Sequence, residues 1–322
     1  MTPSSTAGAR RLVVLGTGGT IAGSSSNAGA NLGYTAGTVS VEDLLGGIAA
    51  PDGFTLHAEQ VAQLDSKDMD TATWQTLHER CQHWLAQEDI AGLVITHGTD
   101  TIEETAFFLH SVLSSDKPVV MACAMRPATA RMPDGPQNLR DALAVAATPE
   151  ATGVTVVCAG EIHGALDVRK DHPYRLKAFS SGDSGPIGYV EEESVRRVRA
   201  WPRPEGSDQG VLPDAEHWPR VEIVLSHAGA SGALIDLLVQ ERESGASKPV
   251  AGIVLGATGN ASLHRGLEQA AQRARSAGIE VRVAARCQEG RLLPTPDAPF
   301  SIMTALSPVK ARIALMLELC RG

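Results

Sequence analysis

Leu12-Val13-Val14-Leu15-Gly16-Thr17-Gly18-Gly19-Thr20-Ile21-Ala22-Gly23 decides how the rest of the chain is read. A short apolar run breaks abruptly into glycines and threonines, the pattern of a buried strand feeding a tight loop. Three further runs have the same apolar character: Leu93–Thr96, Val119–Ala122 and Val154–Cys158. Between them, Thr73–Ala86, Ile102–Leu113 and Asn138–Ala147 carry apolar residues at helical spacing. In the second of these, Ile102, Ala106, Leu109 and Leu113 form one stripe. Strand–helix alternation predicts an α/β fold, a mainly parallel sheet with flanking helices.

Glu191-Glu192-Glu193, then Arg196, Arg197 and Arg199, and prolines at 202, 204, 213 and 219 interrupt the alternation. Proline at that density continues neither ladder nor helix. The spacing predicts a larger α/β domain over 1–190, a linker over 191–220 and a smaller α/β domain over 221–322. Strands are expected there at Val221–Leu225, Val250–Leu255 and Glu280–Ala284. Helices are expected near Ser231–Glu243, near Leu263–Ala277 and from about Val309.

Composition excludes several classes of function. The 322 residues are 43% hydrophobic and 20% charged, as in an ordinary globular protein. A net charge of −9 and 4% aromatics argue against a nucleic-acid partner, because the phosphate backbone would be repelled and few rings could stack on bases. The Arg196–Arg199 run reads as solvated surface. Five cysteines without C-x-x-C spacing build neither a disulfide framework nor a zinc knuckle, and His78 and His83 lie off a common helix face. No run reaches membrane-span length and Leu12–Leu15 is too short for a signal sequence, so no membrane partner and a cytoplasmic location are expected.

Ligands of open α/β sheets gather where strands end and loops lead into helices. Three polar clusters fall at such points. In Gly16–Gly23, the glycines allow close backbone approach, but the spacing is not G-x-G-x-x-G and no lysine follows Gly23, which disfavours a nucleotide. In Thr96-His97-Gly98-Thr99-Asp100-Thr101, Thr101 with Glu104 fits a helix capping box, and Asp100 alone would serve as a cap. Capping and chemistry are equally good readings of that segment by itself. In Asp167-Val168-Arg169-Lys170-Asp171-His172, Lys170 is either a solvated charge or, if buried beside Thr99 and Asp100, a candidate base, since desolvation favours a neutral amine. Gly182-Asp183-Ser184-Gly185-Pro186 matches the nucleophile segment of chymotrypsin-like proteases, but those are all-β, so the match is a coincidence.

Taken together, Thr17–Gly23 and Thr96–Thr101 resemble the two signature segments of the bacterial-type L-asparaginase/glutaminase family. The resemblance continues through Tyr34–Gly37, Asp65–Met69, Ala124–Pro127, Asp134–Pro136, Asn138-Leu139, Asp167–Lys170, Gly185–Tyr189 and Leu306–Pro308 to Lys310–Arg312, nearly the whole chain in order. It implies hydrolysis of L-asparagine to L-aspartate and ammonia, with Thr20 as nucleophile and Tyr34 against its hydroxyl on a lid formed by Ala22–Val39. It implies a second triad of Thr99, Asp100 and Lys170, with Lys170 as base and Thr99 positioning water. Ser66 and Asp100 would hold the substrate's α-carboxylate and α-ammonium, and N–H groups near Thr99 and Ala124 would form the oxyanion hole. It implies no cofactor, no metal, and a homotetramer of intimate dimers whose C-terminal domains complete neighbouring sites.

Three positions depart from the family pattern. Lys67 stands where glutamine is common beside the carboxylate-binding serine, Gly229 where asparagine is usual, and Leu292 where many members have a glutamate. These departures predict weaker asparagine affinity and little glutaminase activity. They also leave an alternative, a catalytically poor amino-acid-binding sensor of the same fold.

Overall fold

The computed structural model describes residues 10–27, 29, 31–203 and 212–321. They fall into two compact units divided between Gln209 and Gly210. The first contains β1 (Arg10–Gly18), α1 (Val41–Leu44), β2 (Phe54–Leu64), α2 (Thr71–Leu85), β3 (Ile90–Thr96), α3 (Ile102–Val112), β4 (Val119–Ala122) and α4 (Gly135–Ala147). It continues with β5 (Val154–Cys158), β6 (Glu161–Gly164), β7 (Arg169–Lys170), β8 (Phe179–Ser180), β9 (Gly188–Glu191) and β10 (Ser194–Arg197).

Eight of these strands make one sheet in the order β10-β9-β6-β5-β4-β3-β1-β2, parallel from β2 to β5 and antiparallel from β5 to β10. Helices take up the apolar faces. Leu139, Ala142, Leu143 and Ala146 of α4 share a core with Leu12 and Val14 of β1, Val94 of β3 and Val120 of β4. Strand order matters for function. From β1 the chain runs to edge strand β2, then returns to β3 on the other side of β1. That reversal opens a crevice beyond the carboxyl ends of β1 and β3, where Thr17–Ala22 and Thr96–Thr101 lie.

The second unit contains β11 (Arg220–Leu225), α5 (Ala233–Glu243), β12 (Val250–Ala257), α6 (Arg265–Ser276), β13 (Glu280–Ala285), β14 (Ser301–Met303) and α7 (Pro308–Leu319). Its four strands form a parallel sheet in the order β11-β12-β13-β14.

One expectation is corrected. Ser194–Arg197, read from sequence as linker, is the edge strand β10, paired antiparallel with β9 across a turn at Glu192 and Glu193. Both turn residues adopt positive φ, 48° and 60°, the geometry of a two-residue hairpin turn. Arg196 lies over the Tyr189 ring and pairs with Glu191, so the charge run decorates a sheet edge. Pro204-Glu205-Gly206 of the expected linker lies outside the described residues.

Candidate active site

Glycine brings the two signature loops into contact. Gly19 has φ +79°, and a Cβ there would lie 2.2 Å from the Gly98 amide nitrogen. A Cβ on Gly98 would lie 2.4 Å from Ser66 Oγ. Three segments therefore meet with no room for a side chain between them, and Thr20, Ser66 and Thr99 are the first residues beyond that junction. All three are buried. The joint is fastened by Thr17 Oγ1 donating to Thr96 O at 2.8 Å and by Gly19 N–H donating to Leu64 O at 2.8 Å.

Thr20 opens a single 3-10 turn, Thr20–Ala22. Its hydroxyl shares a hydrogen bond of 2.6 Å with the Tyr34 hydroxyl, in which either oxygen could donate. The segment carrying Tyr34 folds back on the Thr20 turn. Ser24 and Thr35 exchange two backbone bonds of 2.9 Å, and the N–H groups of Thr38 and Val39 both donate to Ala22 O, at 2.8 and 2.9 Å.

The second group converges from separate elements. Lys170, on β7, donates from Nζ to Thr99 Oγ1 at 2.9 Å and to Asp100 Oδ1 at 2.6 Å. The Lys170 side chain is 16% exposed and that of Asp100 52%, so the ammonium is withdrawn and the carboxylate faces an accessible space. Ser66 Oγ accepts the Asp100 N–H at 3.2 Å, which leaves its own proton available to a ligand. The capping reading of Thr101 fails: its hydroxyl donates to Ser66 O at 2.7 Å and makes no cap bond to α3. The segment is spent on assembling the site.

Ala124 follows β4, buried beside Ile21 and Ala22. Asp134 accepts the next two N–H groups, those of Met125 and Arg126, each at 2.9 Å. Cys123, the residue before Ala124, is fully buried. A hydrogen bond with the Cys158 thiol, followed by burial, pushes its thiol well above the ordinary range.

The remaining expected residues are placed elsewhere. The Lys67 ammonium pairs with Asp68 at 2.5 Å and Asp65 at 3.4 Å, with its side chain 59% exposed. Leu292 is buried in the core of the second unit. Gly229 has φ +71° with open space around its Cα. Ser184 of the protease-like segment donates to Asp167 Oδ1 at 2.9 Å, a loop tie. No group of three or more His, Cys, Asp or Glu able to hold a metal occurs among the described residues. No helix among them is long and apolar enough to cross a membrane. His163 escaped motif reasoning, its one signal being a polar residue set in an otherwise apolar run; Asn138 falls in a segment of the family resemblance but carries no role from it.

Known proteins match the chain over nearly its whole length. The family model for the N-terminal domain of asparaginase matches residues 11–203, and that for the glutaminase/asparaginase C-terminal domain matches 220–322. The chain belongs to the asparaginase family. It is an amidohydrolase.

Similarity runs the length of the family member. L-asparaginase 2 of Bacillus subtilis is 34% identical, over 96% of this chain and 82% of that protein. The glutaminase-asparaginase of Pseudomonas fluorescens is 33% identical, over 96% of this chain and 86% of its own length. The crystal structure of a probable cytoplasmic L-asparaginase from Campylobacter jejuni superposes with a TM-score of 0.87 at 34% identity, covering 97% of this chain and 96% of that one. The antiparallel β9–β10 edge and the small C-terminal sheet are thus described in a chain whose family both domain models and a solved relative agree on.

Proposed function

We propose that this family member is an L-asparaginase that hydrolyses L-asparagine through a β-aspartyl ester on Thr20, with weak activity on glutamine. The carrying observation is a pair of hydrogen-bonded hydroxyls on two loops that meet at Gly19 and Gly98: Thr20 held by Tyr34 at 2.6 Å, and Thr99 held by Lys170 at 2.9 Å. A threonine hydroxyl is a poor nucleophile unless a neighbour takes its proton as it attacks. Tyr34 is so placed for Thr20. Attack on the side-chain amide carbon gives a tetrahedral oxyanion, and the N–H groups of Thr99 and Ala124 are the donors for it. Collapse, with the proton taken from Thr20 passed on through the Tyr34 hydroxyl to the amide nitrogen, expels ammonia and leaves the ester. A water beside Thr99, relieved of a proton through the Lys170 pair, then releases aspartate and restores the Thr20 hydroxyl.

The substrate is a zwitterion, and the crevice offers a partner for each end: the free proton of Ser66 Oγ for the α-carboxylate and the accessible Asp100 carboxylate for the α-ammonium. Holding both ends fixes the amide carbon against Thr20, which is how a short side chain gains selectivity. Glutamine, one methylene longer, would bring its amide past the attacking oxygen. The sequence relatives include a glutaminase-asparaginase, so discrimination rests on this local geometry.

A Thr20→Ala variant is expected to lose ammonia release from asparagine while still binding L-aspartate. Normal ammonia release by that variant would remove Thr20 from the nucleophile's role. Steady-state assays with asparagine, glutamine and their D-isomers test the substrate assignment. We also propose a homotetramer and a cytoplasmic location. The latter draws on the cytoplasmic Campylobacter relative against a probable periplasmic relative from Haemophilus influenzae. Sedimentation and cell fractionation check the two.

A further inference from the structure

Two buried side chains that the proposed reaction does not use share one unusual placement. His97 Nδ1 lies 2.8 Å from Gly98 O, and Asn138 Nδ2 donates to Cys123 O at 2.8 Å. A carbonyl oxygen only accepts, so His97 must carry its proton on Nδ1. Gly98 C=O belongs to the same peptide unit as Thr99 N–H, and Cys123 C=O to the same unit as Ala124 N–H. No cis peptide occurs among the described residues, so in each unit the N–H points away from the gripped oxygen. Thr99 N–H and Ala124 N–H make no hydrogen bond among the described residues. They are the two oxyanion donors of the proposed function.

We propose that His97 and Asn138 are positioning residues that set the oxyanion hole, each gripping the carbonyl at the far end of one donor peptide. The inference rests on the functional reading above. Its physical basis is twofold. A peptide plane anchored at its oxygen cannot swing its N–H out of line. A hydrogen bond accepted at C=O also polarises the N–H at the other end.

The need is greatest at Gly98. Ser66 Oγ leaves no space for a Cβ there, so the residue must be glycine, and glycine does not restrict its own backbone rotation. His97 supplies the missing restraint. Its other nitrogen, Nε2, is buried without a partner, which is a cost that an apolar residue would avoid. The Nδ1 bond to Gly98 O is thus the one polar contact that offsets burying this imidazole among the described residues. Asn138 is fixed from both sides, since its Oδ1 accepts Ala159 N–H at 3.0 Å, and Asp134 holds the two peptides that follow Ala124.

The test uses the full chain with His97→Leu, His97→Asn and Asn138→Leu. Asparagine kcat and KM are measured, together with affinity for L-aspartate and for an aspartate β-aldehyde, whose adduct with Thr20 carries an oxygen at the oxyanion position. Deleting an oxyanion donor costs about 10²–10³ in kcat, and loosening one should cost part of that, roughly tenfold to a hundredfold. The leucine variants are expected to lose kcat by that factor and aldehyde affinity in parallel, with KM and aspartate affinity within about twofold. His97→Asn, which keeps an N–H toward Gly98 O, is expected to recover most of the loss. A merely structural role would weaken aspartate and aldehyde equally.

Equal weakening overturns the inference, as does unchanged kcat in both leucine variants or no advantage of asparagine over leucine at 97. His97→Asp, shaped like asparagine but without its N–H, replaces His97→Leu if that protein does not fold. Thr20→Ala separates the two levels. If it stays active the functional reading fails, and if it is inactive while the leucine variants are normal, only this inference fails.

Discussion

Gly19 and Gly98 touch through their backbones: a Cβ on Gly19 would fall 2.2 Å from Gly98 N and 2.3 Å from Gly98 Cα. Neither atom belongs to a flexible side chain, so the clash cannot be relieved by a rotamer change. Gly19 also sits at φ +79° and ψ −172°, a region essentially confined to glycine, which costs an L-residue roughly 1–3 kcal/mol. Adding the overpacking penalty, Gly19→Ala is expected to destabilise the enzyme by about 2–6 kcal/mol and to abolish turnover. Gly47, with positive φ and open space, is the control: alanine there carries backbone strain alone and should leave kcat intact. Chemical denaturation and ammonia release check both. Activity in Gly19→Ala would show that the two loops need not touch.

The 2.6 Å contact between Thr20 and Tyr34 makes a separate statement about proton transfer. Tyr34→Phe removes one oxygen and leaves the ring, so stability should change by less than about 1.5 kcal/mol. Loss of a positioned proton acceptor is expected to lower kcat by about 10²–10⁴. In a double-mutant cycle with Thr20→Ala the effects should be far from additive, Tyr34→Phe costing little more once the Thr20 hydroxyl is gone, because the proposal makes the two hydroxyls one unit. Additive losses would mean that Tyr34 serves only to close the segment over the site.

Lys170 and Asp100 divide along a different line. Lys170→Met removes the donor to Thr99 Oγ1 and Asp100 Oδ1 but leaves the accessible carboxylate. It should cost kcat with little change in KM. Asp100→Asn removes the charge proposed to meet the α-ammonium and also the Lys170 partner, so it should raise KM and lower kcat together. Pre-steady-state ammonia release sharpens this. If Lys170 acts only on water, Lys170→Met should still release a burst of ammonia and accumulate the ester on Thr20, detectable by mass spectrometry. Absence of a burst would move Lys170 into the first half-reaction.

Buried histidines set the acid side of the stability profile. Burial pushes His97 and His163 down to about 4 each; for His163 the Glu161 carboxylate opposes the shift and Lys177 reinforces it. Burial also lowers His78. A histidine lowered on folding stays neutral in the native state while the unfolded chain takes up its proton below about 6.5. The unfolded state then binds more protons, so stability falls as pH drops from about 6.5 toward 4 and levels off below. Each group lowered to about 4 contributes a few kcal/mol across that window. Urea unfolding at pH 7 and pH 5 should show the loss, and His163→Gln should reduce the difference. An unchanged difference would place the acid sensitivity elsewhere.

Legibility followed burial. The four apolar runs of the first domain lie in β1, β3, β4 and β5, because strands covered on both faces must be apolar throughout. The β9–β10 hairpin was misread for the converse reason. Only Val195 of Ser194–Arg197 packs on the core while Ser194, Arg196 and Arg197 are exposed, and the turn is built from two glutamates rather than from Asn-Gly or Asp-Gly. At the site, Thr20, Thr99, Asp100 and Lys170 stood in clusters with more polar function than a turn or cap needs. Asn138 stood in a helix with apolar periodicity and carried no such excess. What distinguishes it is the carbonyl it meets 15 residues away, which no local pattern encodes.

Lys67 offers a way to recover affinity. The residue follows Ser66 in a 3-10 turn, and its ammonium is drawn to Asp68 and Asp65 at the surface. Exposed pairs of this kind are worth about 0–1 kcal/mol, so their loss should leave the melting temperature nearly unchanged. A glutamine at 67, as in many family members, would present a neutral amide beside the serine proposed to meet the α-carboxylate, without the pull of two carboxylates. Lys67→Gln is therefore expected to lower KM for asparagine about three- to tenfold, the effect of one added hydrogen bond of roughly 0.5–1.5 kcal/mol, with kcat unchanged. Because the gain is made at the α-carboxylate, common to both substrates, KM for glutamine should fall by the same factor and the asparagine preference should persist. An altered preference would show that position 67 senses side-chain length, and an unaltered KM would remove it from the binding site.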